Sequence, residues 1–160
     1  MRKQLILFVG ILLVVALLQS CDSSQLIDEN REINNYNWSY IDTQKFEIDV
    51  TDTVSKYNLY VNVRHSFYFD WRNIYVKINT TLPNDTSFVR RVNLPLSEAD
   101  GKWFGNCFGE NCSVQIPIQK GAKLPMKGKY KFEIVQDMRE NPLHKIKAIG
   151  LRVEKARVEE

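Results

Sequence analysis

The strongest constraint on the fold is the alternation of apolar and polar residues along several short segments. Residues 45–50 alternate at every position, with Phe46, Ile48 and Val50 on one side. A period of two, carried by β-branched and aromatic side chains, is typical of a half-buried β-strand. The same pattern runs through residues 57–69, 73–81 and 130–136, and further strands are expected at residues 86–94 and 146–154.

Turn residues separate these segments. Residues 82–85 (Leu-Pro-Asn-Asp) and 99–102 (Ala-Asp-Gly-Lys) have the composition of tight turns, because glycine accepts a positive φ and Asn and Asp tolerate it. No segment sustains the 3.6-residue period of a helix, and single helical turns are expected at most at residues 97–100 and 137–141. The spacing predicts an all-β fold, a single antiparallel β-sandwich of about seven or eight strands.

The N-terminus has the three parts of an export signal. Arg2 and Lys3 are followed by an apolar run of fourteen residues, 5–18, and then by Gln19-Ser20-Cys21. A cationic head, a short apolar run and a small residue before the cleavage point indicate a secretory signal peptide. An uncleaved transmembrane helix is the alternative, but crossing a bilayer takes about 20 residues.

Cys21 follows the small residue directly, which resembles the lipobox of bacterial lipoproteins. Its thiol is then expected to carry a diacylglycerol, and two or three acyl chains attach a protein stably to a membrane. We predict a signal peptide over residues 1–20, a polar tether over 21–36 and a β-sandwich domain over 37–160. The expected location is the cell envelope, at the outer membrane or the periplasmic face.

Charge and composition argue against several classes of function. Cleavage removes Arg2 and Lys3, so the net charge falls from +3 to +1, too little to attract nucleic acid. His65 and His144 do not have the spacing of zinc ligands, and no phosphate loop or serine elbow is present. The carboxylates fall mainly in turns and at outward strand positions, as solvated residues do. We therefore predict no catalytic residues, no metal, no cofactor and no enzymatic activity, and the sequence names no small-molecule ligand.

Two cysteines remain after Cys21. Cys107 and Cys112 flank a short loop that contains Gly109, and an oxidising compartment permits a disulfide between them. Two free buried thiols are the alternative. A catalytic thiol needs an adjacent base, and the neighbouring sequence supplies none.

Aromatic residues give the first candidates for a partner surface. Alternation fails from Phe67 to Trp71, because neighbouring aromatic residues in this run point to opposite faces, so one face carries exposed aromatic area. A strand that crosses from one sheet to the other is the competing explanation. Trp103 could likewise serve as a platform for a sugar ring or a partner protein, or it could cap the core.

Two further sites are hypotheses from local sequence. Met138 and Arg139 lie in a connection that Pro142 restrains, and Arg139 could bind a carboxylate of a partner or pair with Asp137 or Glu140. Thr53 lies in Asp-Thr-Val, a short pattern that resembles Bacteroidetes O-glycosylation sites.

Several segments taken in order behind the lipobox resemble the gliding motility lipoprotein GldH family of Bacteroidetes. The most specific are residues 101–105 (Gly-Lys-Trp-Phe-Gly) and Met138-Arg139 with Pro142-Leu143; the others are 71–76, 80–84, 94–96, 128–132 and 149–155. The resemblance implies a non-enzymatic envelope lipoprotein that works with other proteins of gliding and of the linked type IX secretion system. It transfers no catalytic or ligand-binding residue. The alternatives are a carbohydrate-binding surface lipoprotein and an envelope hydrolase.

Overall fold

The computed structural model describes residues 24–157, so the predicted signal peptide and Cys21 lie outside the described residues. The strands are β1 (Gln25–Glu32), β2 (Asn37–Trp38), β3 (Gln44–Val50), β4 (Lys56–Ser66), β5 (Asn73–Thr81), β6 (Ser87–Pro95), β7 (Asn106–Phe108), β8 (Asn111–Lys123), β9 (Gly128–Gln136), β10 (Leu143–His144) and β11 (Ile146–Lys155). A single 3-10 turn covers Asn34–Tyr36.

Two antiparallel sheets contain most of the strands. One has the order β1-β11-β4-β8-β7 and the other β3-β9-β5-β6, while the two-residue strands β2 and β10 pair with each other. A single cluster of buried apolar side chains draws on both sheets, so the sheets pack face to face. The prediction of an all-β antiparallel sandwich is confirmed, with nine strands in the two sheets of the described chain.

The alternation that predicted the strands also selects their buried faces. In β3 every second residue is buried, and β4 buries Tyr57, Leu59, Val61 and Val63 in the same way. Each fully buried side chain of this size contributes about 1.5–3 kcal/mol by leaving water. The core therefore forms from the residues that the period-two pattern placed on one side.

Strand β1 corrects the expected domain boundary. Residues 21–36 were expected to form a polar tether, but Gln25–Glu32 pairs along its length with β11. An edge strand exposes most of its surface, so it needs few apolar residues, and Leu26 and Ile27 alone pack against the core. The polar composition therefore concealed a strand.

The strands run between two ends of the sandwich, which we call the tether end and the distal end. The tether end carries Ser24 and the connections at residues 51–55, 82–86 and 124–127. The distal end carries the connections at residues 67–72, 96–105, 109–110 and 137–142. Between residues 24 and 157 there is no helix long and apolar enough to span a bilayer.

Candidate functional site

All five residues predicted for a partner surface lie at the distal end. Phe69 and Trp71 follow the last residue of β4, Trp103 lies between β6 and β7, and Met138 and Arg139 follow β9. The strand does not cross between sheets after Ser66, because a turn closed by a hydrogen bond from Phe69 N to Ser66 O (3.0 Å) interrupts it. The break in alternation therefore marks the end of β4.

Phe69 and Trp103 point inward and enclose His65. The Phe69 side chain is buried, and its ring centroid lies 5.6 Å from that of His65. The ring centroid of the half-buried Trp103 lies 4.6 Å from that of His65. Trp103 Nε1 donates a hydrogen bond to Phe67 O (3.1 Å). Trp103 therefore caps the core in this structure, and Phe69 offers no surface to a partner.

Trp71 is 45% exposed and joins the connection that follows β9. Its Nε1 donates to Glu140 Oε2 (2.9 Å). The Tyr40 hydroxyl donates to Met138 O (2.5 Å), and Tyr40 N donates to Asn141 Oδ1 (2.9 Å). Two exposed aromatic side chains are thus fixed to one connection, residues 137–142, whose Asn141–Pro142 peptide is cis.

The buried amide of Gln136 holds this connection from inside. Its Nε2 donates to Glu140 O (3.1 Å), and its Oε1 accepts from Met138 N (2.8 Å). The backbone amide of Tyr75 lies 3.2 Å from Met138 Sδ. The connection is therefore well fixed on its inner side, while its outer side faces solvent.

We define the distal aromatic patch as the exposed apolar side chains around this connection. They are Tyr40, Ile41, Phe67, Tyr68 and Trp71. Phe67 and Tyr68 contact each other edge to face at 5.7 Å. Large exposed aromatic side chains grouped at one end of a domain are typical of a protein–protein contact.

Arg139 lies beside the patch with its side chain exposed. The two acids that the sequence offers as internal partners, Asp137 and Glu140, bind other residues. Asp137 contacts Lys77 Nζ (2.7 Å) and Arg91 Nε (2.6 Å), and Glu140 accepts a hydrogen bond from Trp71. The hydrogen bonds from Lys77 and Arg91 lower the pKa of Asp137. No acid among residues 24–157 pairs with Arg139, so its guanidinium is available to a carboxylate of another molecule.

Cys107 and Cys112 are joined by a disulfide in the structure. The two residues face each other across the β7–β8 hairpin. Cys112 is buried, whereas the neighbouring Phe108 is 91% exposed. The hairpin therefore presents an aromatic ring to solvent from a covalently closed loop.

Thr53 lies in the connection between β3 and β4 at the tether end, half-buried. Asp52 orders this connection, because its carboxylate accepts from Val54 N (3.0 Å), Ser55 N (3.1 Å) and Lys155 Nζ (2.8 Å). The hydrogen bond from Lys155, with those from Ser55, holds the pKa of Asp52 far below its usual range. Glycosylation of Thr53 stays a prediction.

A concavity of about 710 Å³ lies on the outer face of the five-stranded sheet. A second hollow of about 540 Å³ adjoins it and shares Arg64, Asn106 and Ser113. Sequence reasoning missed this surface. The one sequence feature that could have indicated it is the pair of outward-facing polar residues Asn62 and Arg64 on β4. The described residues hold no cluster of three or more His, Cys, Asp or Glu side chains that could bind a metal.

Comparison with known proteins gives a consistent result over nearly the whole chain. The sequence profile of the GldH lipoprotein family matches residues 25–153. The chain is 30% identical over 153 residues to the gliding motility lipoprotein GldH of Flavobacterium johnsoniae, covering 91% of this chain and 94% of that one. It is 26% identical over 163 residues to a gliding motility lipoprotein GldH homolog of Christiangramia forsetii, covering 98% and 99%.

Similarity to solved structures is weak. A family 35 carbohydrate binding module from an environmental isolate aligns with 88% of this chain and 96% of its own, at a TM-score of 0.33 and 10% identity. The coat protein of tobacco streak virus aligns with 89% and 94%, at a TM-score of 0.26 and 10% identity. Neither TM-score is high enough to support an argument.

Proposed function

The chain belongs to the GldH lipoprotein family, and on that premise we propose that it is a lipid-anchored, non-enzymatic scaffolding component of the gliding and type IX secretion machinery. The matches confirm the resemblance found in the sequence and support a gliding motility lipoprotein of the cell envelope. Its work is binding: Cys21 holds the domain at a membrane, and the domain contacts other envelope proteins of the machinery.

The position of the distal aromatic patch is the observation that carries this proposal. Ser24 is three residues from Cys21, and three extended residues reach at most about 11 Å. An anchor at Cys21 therefore keeps the tether end near the bilayer and turns the distal end away from it. The patch is then presented to proteins beyond the membrane surface, with Arg139 free to bind an acidic group beside it.

Membrane attachment also raises the effective concentration of the patch near other membrane-bound proteins. A weak contact through five side chains can then be sufficient, since the partner need not be captured from bulk solution. For this reason we expect both the anchor and the patch to be necessary, and neither alone to be sufficient.

Complementation of a gene deletion tests this function. The deletion strain receives the wild type, Cys21→Ala, the double variant Trp71→Ala/Arg139→Ala, or the control Phe88→Ala, whose ring is exposed on β6 outside the patch. We expect the wild type and the control to restore colony spreading and protein secretion, and the other two to fail. Normal spreading and secretion in the deletion strain itself would reject the machinery role.

A further inference from the structure

Three unusual features meet at the hollow of about 540 Å³ on the outer face of the five-stranded sheet. They are a pair of residues with positive φ, an aromatic ring exposed on the disulfide-closed hairpin, and a lysine without an acidic partner. Tyr36 and Phe108 line the hollow together with Lys147 and Asn111. None of these side chains belongs to the distal aromatic patch, so the surface requires a separate explanation.

Tyr36 is held in a costly backbone conformation. Asn35 and Tyr36 have φ values of 50° and 58°, in the left-handed region that asparagine tolerates and that a tyrosine rarely adopts. The hydrogen bond from Tyr36 N to Ile33 O (3.2 Å) closes the turn, and Ile33 is buried. Such strain concentrates where a structure must present a side chain for binding, and here it presents the Tyr36 ring, which is 52% exposed.

Lys147 lies beside the Tyr36 ring, and no acidic side chain among the described residues compensates its charge. Its Nζ is 5.3 Å from the centroid of the Tyr36 ring and donates to Asn111 Oδ1 (2.6 Å) and Glu110 O (3.3 Å). Neither acceptor carries a charge, and no carboxylate within residues 24–157 pairs with this ammonium group. Arg64, in the same hollow, is paired with Glu32.

The hollow continues into a trough whose floor is rich in side-chain amides. Asn30, Asn62 and Gln115 lie in one row across β1, β11, β4 and β8. Gly150 on β11 lies in the same row, between Asn30 and Asn62, and a Cβ atom there would overlap Asn30 Oδ1. The glycine therefore leaves room for the Asn30 amide to lie across the sheet.

Hydrogen bonds orient two of these amides, Asn62 and Gln115, while leaving part of their capacity unused. Gln115 Nε2 donates to Asn62 Oδ1 (2.9 Å), and Asn62 Nδ2 donates to Asp28 Oδ1 (2.9 Å). A primary amide has two N–H donors and an oxygen that accepts two hydrogen bonds. Each of the two amides can therefore bind a further hydroxyl group without losing its orientation.

We propose that this trough binds an extended polysaccharide chain that carries carboxylate groups. The rings of Tyr36 and Phe108 contact the apolar faces of sugar rings, and Lys147, in the same hollow, binds a carboxylate of the chain. The amides of the floor exchange hydrogen bonds with sugar hydroxyls, which both donate and accept. An open trough lined by several side-chain amides fits a hydrated chain of this kind, because it offers hydrogen bonds along its length.

Affinity electrophoresis of the mature protein in detergent tests this inference. The gels contain polygalacturonate, alginate or hyaluronate, with neutral dextran as the reference polymer. We expect at least one of the three acidic polymers to retard the wild type, and dextran to leave it unaffected. Lys147→Met and Tyr36→Asn should each weaken retardation about tenfold. Asparagine tolerates a positive φ, so the second variant removes the ring while keeping the turn.

Matched controls separate this site from general charge attraction and from the proposed partner surface. Lys127→Met removes an exposed charge at the tether end, and Trp71→Ala removes a ring of the distal aromatic patch; both should bind as the wild type does. The inference is overturned if none of the acidic polymers retards the wild type, or if Lys147→Met and Tyr36→Asn are retarded as strongly as the controls. Neither result bears on the machinery role, which complementation measures independently.

Discussion

The rings of His65 and Trp103 lie 4.6 Å apart at an angle of 59°. His65 is fully buried, its Nδ1 donates to Ser66 O (2.8 Å), and its Nε2 has no hydrogen-bond partner among the described residues. Burial lowers the pKa of His65 below its usual 6.5; the hydrogen bond to Ser66 O opposes this shift, and the charge of Lys147 adds to it. The folded state therefore holds this imidazole neutral.

The first prediction is that His65 makes stability depend on pH below 6.5. Between 6.5 and the lowered pKa of the folded state, the unfolded chain binds more protons at His65 than the folded chain does, so the free energy of unfolding falls as pH falls. The slope from this single group is at most about 1.4 kcal/mol per pH unit. Urea unfolding between pH 7.5 and 5 should show that slope for the wild type and lose it in His65→Phe. The carboxylates are common to both proteins, and equal slopes would contradict the prediction.

The second prediction concerns Gly105, which joins the Trp103 segment to β7. Its φ is +74°, and a Cβ there would overlap the carbonyl oxygen of Ser113 and lie 2.9 Å from Val114 Cα. Both atoms belong to the backbone of β8, which cannot yield easily. We expect Gly105→Ala to lower the free energy of unfolding by about 2–4 kcal/mol.

Gly109 is the matched control for that substitution. It also has a positive φ (+58°), but a Cβ would meet nothing within 4 Å. Gly109→Ala should therefore cost only the conformational penalty, about 1 kcal/mol. Equal losses for the two variants, measured by denaturant unfolding, would show that the close approach to β8 is unimportant.

The third prediction is that the disulfide stabilises the fold modestly. Cys107 and Cys112 are five residues apart, and closing so short a loop contributes about 2 kcal/mol in the chain-entropy treatment. The double variant Cys107→Ala/Cys112→Ala should unfold at a correspondingly lower denaturant concentration. Reducing agent should lower the stability of the wild type and leave that of the double variant unchanged. If the stability of the wild type does not change with reductant, the prediction is wrong.

The fourth prediction is that the domain begins before residue 37. A chain that starts at Asn37 lacks β1 and the buried Ile33, and it uncovers the edge of β11. Loss of Ile33, Leu26 and Ile27 from the core should cost at least about 3 kcal/mol relative to a chain that starts at Ser24. Equal stability of the two chains would restore the tether interpretation of residues 25–36.

Sequence reasoning predicted the parts of this fold that depend on local alternation. Strands β3, β5 and β9 followed from their apolar faces, because a half-buried strand must alternate. Strand β1 was missed, since an edge strand is stabilised by ladder hydrogen bonds to β11 that its own composition does not reveal. Strand β8 was also missed, because Pro117 and Gly121 interrupt its alternation of apolar and polar residues. Its pairing with β4 nevertheless continues past two shifts in register.

The candidate sites show the same limit. The sequence located Trp71, Met138 and Arg139, and the structure places them at one end, but it turns Phe69 and Trp103 inward against His65. Their direction depends on where β4 ends, and the aromatic composition after Ser66 resembles a continuing strand. The trough could not be predicted, because Tyr36, Lys147 and Asn62 come from distant segments that only the sheet topology brings together.

The order of the five-stranded sheet determines how the domain would carry force. A pull between Cys21 and the distal aromatic patch enters β1 at the tether end and β4 at the distal end, with β11 paired between them. Hydrogen bonds in an antiparallel ladder lie perpendicular to the strands, so this pull loads the ladders in shear and many bonds resist together. Strand β4 spans 11 residues, roughly 35 Å, so the domain would resist extension between an anchor at Cys21 and a protein bound to the patch.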